Sequence, residues 1–235
     1  MTEYRSIGPA EKQLRSLWDQ AKHRVYHPKN WLKLQQLWRR FDLSFILYKD
    51  IKIMVPAGKV PDCETCLEIC CTGPNSIVSL RLRDIAALID AGLHQHMTHE
   101  KSRLTILGNT MNDSQKNFSE SVFAKIFPVL TQDRTQTCTL LDENRMCGAY
   151  PHWPISCARY PFAIDAVNKV VFYAKGCGSF DLLPPYEVAE RTRYLVQAAI
   201  GSYNERIKDI FLIYFAKKDL EKIGLTTYLD LSKID

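Results

Sequence analysis

The chain of 235 residues contains no apolar run long enough to cross a bilayer, so no membrane-spanning helix is expected. Its first residues, Met1-Thr2-Glu3-Tyr4-Arg5, hold no apolar h-region. No secretory signal is therefore expected, and the cytoplasm is the expected location. Without export, the glycosylation patterns Asn112-Asp113-Ser114 and Asn117-Phe118-Ser119 carry no meaning. There is no G-x-G-x-x-G loop, no P-loop and no Ser-His-Asp signature, so nothing points to a dinucleotide, a nucleoside triphosphate or a serine hydrolase. No internal repeat or low-complexity tract stands out. The eight cysteines are too few for a disulfide-stapled mini-protein, and a hydrophobic content of 46% supplies an ordinary core.

What is present begins with charge. The net charge is +5, and it is uneven. Residues 1–60 hold 12 Lys/Arg against 5 Asp/Glu, giving +7, so the remainder carries −2. A basic N-terminal face suits an acidic partner or nucleic acid; with its basic residues spread along the segment, it also fits a solvated helix face.

Leu14, Leu17, Trp18, Ala21 and Val25 predict a helix over 10–26. His27-Pro28 ends it, and Asn30 is placed to cap a second helix over 31–48. The aromatics of that second helix, Trp31, Trp38, Phe41 and Phe45, are expected in the core. Alternation over 51–55 predicts a short strand, and Pro56, Gly58 and Pro61 form a linker. A strand over 76–80 and a helix over 81–91 follow, with Gly92 just past the helix end. Residues 94–117 are polar and read as the most mobile stretch, with a short helix over 118–127. Asp142-Glu143-Asn144 predicts a turn that puts Cys138 and Cys147 on a hairpin. Residues 169–174 read as a strand, and 185–220 as helix broken near Gly201.

Cysteine placement is the most informative feature. Cys63, Cys66, Cys70 and Cys71 fall within one short run, and Cys138, Cys147, Cys157 and Cys177 lie in a second stretch. Cys63-x2-Cys66 is a chelate, since two intervening residues let both sulfurs reach one metal from a tight turn. Cys70 follows one helical turn later and can reach the same site. Adjacent side chains point apart, so Cys70 and Cys71 are expected to play different roles. The later intervals are too long for local chelation and must be gathered by the fold. Eight thiols permit two four-ligand sites or one cluster with spare thiols. Buried cysteines without a metal and a disulfide network are the plainer alternatives, the latter disfavoured in a reducing cytosol.

The run CETCLEICC, together with Cys138-Thr-Leu-Leu-Asp142 through Cys147-Gly-Ala-Tyr150-Pro151-His-Trp153-Pro154-Ile-Ser-Cys157-Ala-Arg159-Tyr160-Pro161-Phe162, resembles the YkgJ-type cysteine-cluster family, to which zinc or iron chelation is ascribed. The resemblance covers about residues 60–180. Trp153 stands where the family has Arg, and Arg159 comes one residue later than the family's arginine. A more distant similarity reaches the flagellin lysine methylases, which carry similar cysteines and imply an iron–sulfur cluster. The resemblance implies metal ligation by Cys63, Cys66, Cys70, Cys71, Cys138, Cys147, Cys157 and Cys177. High thiolate count and a ligand run without histidine tilt the choice from zinc towards an iron–sulfur cluster.

Other candidates are weaker. His94, His96 and His99 form a His-x-His-x2-His cluster in a polar segment that suits a solvated loop. Glu64 and Glu68 are placed as outer acceptors or as solvated charges. Tyr150 and Tyr160 flank two cysteines and are expected to pack over the site, and Arg159 to balance its negative charge.

The expected protein is α+β: an N-terminal helical extension over 1–55, a cysteine-cluster metal-binding domain over 56–182, and C-terminal helices over 183–235. Its expected function is binding of an iron–sulfur cluster or zinc. One alternative is an iron–sulfur enzyme performing methyl transfer or redox chemistry on a protein substrate. The other is a zinc-stabilised interaction module for a protein partner. Nucleic acid is not the expected partner, and the sequence leaves the oligomeric state open.

Overall fold

The computed structural model describes residues 7–41, 43–54, 71–72, 77–99, 126–166, 168–173 and 185–233. The protein is α+β, as the sequence predicts. Helix α1, Pro9–Val25, turns Leu14, Leu17, Ala21 and Val25 inward at helical spacing. Its first amides are capped from another element: Ala10 N and Glu11 N donate to Asp90 Oδ1 and Oδ2 at 2.9 and 3.0 Å. Gly8 permits that approach, because a Cβ there would lie 2.3 Å from the Asp90 carboxylate. Asn30 caps the end of α1 rather than the start of the next helix, donating to Arg24 O at 2.7 Å.

Helix α2 is Trp31–Phe41 and stops well short of residue 48. From Leu43 to Leu47 the chain is an extended strap along a later helix, α5 (Pro185–Phe215). Side chains of α5 compete with helical pairing there. Arg206 Nη1 donates to Phe41 O at 3.0 Å, and Asn204 takes both Ile46 N and Ile46 O, at 3.0 and 2.8 Å. The aromatics expected in the core divide. Phe41 is buried, whereas Trp31, Trp38 and Phe45 are 59%, 50% and 42% exposed.

Strand β1, Lys52–Met54, pairs in parallel with β5, Val170–Tyr173, which pairs antiparallel with β4, Phe162–Asp165. Helix α3, Leu82–Asp90, ends before Gly92, whose φ of +71° is open to glycine at little cost. The strand expected over 76–80 is absent from the described residues 77–80. Ser79 makes a single bridge to Val129, beside the two-residue pair β2 (Met97–Thr98) and β3 (Val129–Leu130). The proposed linker and the helix over 118–127 lie outside the described residues, apart from Ile126 and Phe127, as does most of the polar stretch.

Helix α5 spans about 46 Å at 1.5 Å per residue. It runs unbroken through Gly201. The break comes at Ala216, ahead of α6, Lys217–Lys222. A Cβ on Gly201 would meet Ile155 Cδ1 at 3.5 Å, ordinary contact, so no close approach requires a glycine here. The first half of α5 packs Leu195, Val196, Ala199 and Ile200 beneath the three-stranded sheet, with Phe162 and Val171. Its second half sends Ile207, Ile210 and Phe211 into a larger core shared with α1, α2 and α3. Cys138, Leu140 and Ala149 belong to that same larger core. Among the described residues no helix is long and apolar enough to cross a membrane.

Candidate metal centre

Of the expected ligands, Cys71, Cys138, Cys147 and Cys157 are described; Cys63, Cys66, Cys70 and Cys177 lie outside the described residues, as do Glu64 and Glu68. Cys138 is buried, and the other three are half-buried. No disulfide joins any two of the four.

Cys138 and Cys147 are presented by two turns with the same backbone plan, nine residues apart. In the first, Asp133 N donates to Thr137 O at 2.8 Å, Gln136 N to Asp133 O at 3.1 Å, and Leu141 N to Cys138 O at 3.0 Å. In the second, Asp142 N donates to Met146 O at 2.9 Å, Arg145 N to Asp142 O at 3.1 Å, and Tyr150 N to Cys147 O at 3.0 Å. The aspartate side chains act alike. Asp133 Oδ1 accepts Thr137 N at 2.9 Å, and Asp142 Oδ1 accepts Met146 N at 2.7 Å. Gln136 and Arg145 occupy the same left-handed position, with φ of 67° and 63°. Gln132 bridges Cys138 as Leu141 bridges Cys147. This is an internal repeat of backbone, although none stands out in the sequence. The turn expected at Asp142-Glu143-Asn144 is its second copy. The recurring signal is Asp five residues before Cys: Asp133 to Cys138 and Asp142 to Cys147.

The first turn also receives the end of the earlier cysteine run. Cys138 N donates to Cys71 O at 2.8 Å, and Thr72 bridges Thr137. Cys71, the last cysteine of the earlier run, therefore meets Cys138 along one backbone ladder. The thiol of Cys138 lies in apolar surroundings that exclude water, and Cys71 and Cys147 pack against the same cluster.

Cys157 arrives on the short helix α4, Ile155–Ala158. Asp84, 3% exposed, ties that turn to α3: its Oδ1 accepts Ile155 N at 2.9 Å and its Oδ2 accepts Arg81 N at 2.9 Å. Burial raises the Asp84 carboxyl to about 6, against the pull of those two amides and of Arg83 and Arg81. From α5, Asp209 is 1% exposed and accepts Leu82 N, which caps α3 from the opposite side. Burial pushes its carboxyl well above the ordinary value, although Arg81 draws it down. Arg81 and Arg159, both half-buried, complete this group. Burial lowers the pKa of each; Asp209, Asp84 and Glu205 oppose the shift at Arg81, while Arg81 adds to it and Cys157 opposes it at Arg159. Arg159 Nη1 also donates to Phe162 O at 2.6 Å. A cation thus stands beside Cys157, where the sequence expects one. Sequence reasoning missed Asp84 and Asp209; the signals were an acid at the third position of a helix and one on a helix beside the apolar residues Ile207, Ile210 and Phe211.

Other expectations fare differently. Tyr150 is 51% exposed, its ring set edge-on to Trp153 at 5.3 Å, so it does not cover a buried thiol. Tyr160 is half-buried. Of the three histidines, His96 meets Thr139, while His94 and His99 both meet Tyr228. His96 Nδ1 meets Thr139 Oγ1 at 2.8 Å, His99 Nε2 meets Tyr228 O at 3.0 Å, and the His94 ring sits edge-on to Tyr228. Among the described residues no group of three or more His, Cys, Asp or Glu side chains is arranged to hold a metal ion.

The donor set fits zinc or iron. It offers soft thiol ligands, a water-poor flank at Cys138 and a guanidinium against accumulating negative charge at Cys157. No curated protein and no solved structure matches the chain. Residues 62–178, about half of the chain, match the model of the CxxCxxCC family, described as "Putative zinc- or iron-chelating domain". All eight cysteines fall inside that match, although this chain has three residues between Cys66 and Cys70 where the family's name has two. With the whole cysteine set inside the matched segment, the chain belongs to the CxxCxxCC family of zinc- or iron-chelating domains.

Proposed function

We propose that the eight thiols, Cys63, Cys66, Cys70, Cys71, Cys138, Cys147, Cys157 and Cys177, hold metal, with an iron–sulfur cluster preferred to zinc. The observation that carries this reading is the 2.8 Å bond from Cys138 N to Cys71 O, which sets the end of the Cys63–Cys71 run against the second group. The preference for iron–sulfur rests on the number of thiols and on a ligand run that contains no histidine. A bound cluster supplies electron transfer or Lewis acidity; zinc supplies a fixed scaffold. The chain's own residues exclude water at Cys138, anchor the Cys157 turn through Asp84, and balance charge through Arg159. We place the metal domain over 56–182, between helical extensions, in a cytoplasmic protein.

The test is Cys63→Ser and Cys66→Ser. Each should lower bound metal and the melting temperature together, because metal binding is coupled to folding. Unchanged stoichiometry and unchanged melting in both variants would remove these residues from the ligand set.

A further inference from the structure

Among the described residues, thirteen large hydrophobic side chains stand exposed, and nine of them fall between Tyr26 and Met54. Single exposed apolar residues are ordinary, but a concentrated strip marks a contact surface. The backbone explains how this strip forms. The strap turns Leu43, Ile46 and Ile51 inward to the two cores and leaves Phe45, Leu47 and Tyr48 outside. Upstream, α2 buries Leu34, Leu37 and Phe41, and Trp31 and Trp38 stand two turns apart along its open side. Downstream, all three residues of β1 are exposed. A succession of exposed apolar residues therefore follows the chain from α2 through the strap to β1, a ribbon in sequence entirely outside the matched segment 62–178.

The ribbon is basic. Lys29, Lys33, Arg39, Lys49 and Lys52 are exposed along it, against Asp50. Its helical end opens on a groove of about 460 Å³ whose walls include His23, His27 and Lys33 over the rings of Tyr214 and Phe215. Lys33 Nζ sits 4.9 Å from the centre of the Phe215 ring.

We propose that this ribbon is a docking surface for an acidic amphipathic segment of a partner protein. Charge complementarity selects an acidic occupant. A second copy of the chain would set like charges against each other across a two-fold contact. A lipid surface leaves the backbone groups of a strand edge unsatisfied, whereas a polypeptide pairs with them; among the described residues β1 is the outer strand in the order β1-β5-β4. Nucleic acid stacks on aromatic rings but gains little from Leu32, Leu47, Ile53 and Met54, which are also exposed here. Trp, Tyr and Arg set among such neighbours are the residue types that anchor protein interfaces.

The test uses the full chain and a synthetic Glu/Leu-rich amphipathic peptide, followed by peptide anisotropy and tryptophan emission at low and high salt. Parallel titrations use phosphatidylglycerol vesicles and a single-stranded oligonucleotide, and sedimentation reports self-association. The expected result is peptide binding that weakens with salt, with a blue shift from Trp31 and Trp38. The double variants Trp38→Ala/Phe45→Ala and Lys33→Glu/Arg39→Glu should each weaken binding about 10-fold or more, the first keeping the salt dependence and the second losing it. Both change exposed side chains, and circular dichroism checks that they fold. The proposal is overturned if the peptide does not bind, if both variants bind it like the wild type, if vesicles or the oligonucleotide bind instead, or if the ribbon is covered by a second copy.

Discussion

The turns that carry Cys138 and Cys147 share one backbone plan but not one environment. Cys138 is 6% exposed among Leu130, Leu140 and Ala149, and its amide reaches Cys71. Cys147 is half-buried at the edge of the same cluster, next to the exposed Tyr150. Asp133 accepts from Thr135 N, Thr135 Oγ1 and Thr137 N, whereas Asp142 accepts from Met146 N. The comparison separates two jobs. An aspartate and a left-handed residue are sufficient to aim a thiol. The surroundings decide whether that thiol also belongs to the hydrophobic core. The inner turn joins the core and, through Cys71, the end of the earlier cysteine run; the outer one only flanks that core.

The largest difference between the turns should come from their thiols. Cys138→Ser and Cys147→Ser should both reduce bound metal. Cys138→Ser should also destabilise the metal-free protein, by about 1–3 kcal/mol, because it sets a hydroxyl in an apolar site. Urea unfolding of the two apo variants measures this, and equal stabilities would break the comparison.

Asp84 holds the third thiol turn, and its titration gives a signature. Its carboxyl, near 6 when folded against an ordinary 3.8, keeps a proton over a range where the unfolded chain has released one. Its contribution to stability therefore grows as pH falls from about 6 towards 4, and is lost as pH rises through 6. Relative to Asp84→Asn, the wild type should gain up to about 3 kcal/mol across that window. Parallel unfolding curves of the apo proteins at each pH read the gain, and a pH-independent difference would contradict the assignment.

Asp133→Ala and Asp142→Ala should each cost about 1 kcal/mol, the first more than the second because it releases more donors. Denaturation midpoints rank them, and the reverse order would show that the turns are not held as described. Smallest of all, Gln136→Gly and Arg145→Gly relieve a left-handed residue in each turn and should change stability by less than about 1 kcal/mol, both in the same direction. Opposite signs would show that the repeat is only apparent.

Which parts the sequence reveals follows from the forces at work. α1, α3 and α5 are legible because their apolar residues recur at helical spacing, and that burial is what forms them. The strap is not. Leu37, Phe41 and Phe45 continue the helical pattern in phase, yet Asn204 and Arg206, remote in sequence, take the backbone groups a helix needs. Gly201 misleads in the opposite sense, since packing along a long helix outweighs a penalty of about 1 kcal/mol. At the site, cysteine spacing marks the metal-binding segment directly. The repeat that aims Cys138 and Cys147 lies in backbone hydrogen bonds and is written in only two recurring side chains. Asp84 acts on Cys157 through Ile155, a contact between elements that no local pattern records.

The central claim is that these thiols hold zinc or iron. It is tested most directly by anaerobic purification of the full chain, with metal, acid-labile sulfide and the visible spectrum measured on one sample. The account predicts bound iron with matching sulfide and broad absorbance near roughly 400 nm, or, if zinc is held, a colourless protein with stoichiometric zinc. A protein that carries neither metal and titrates with all eight thiols would contradict it.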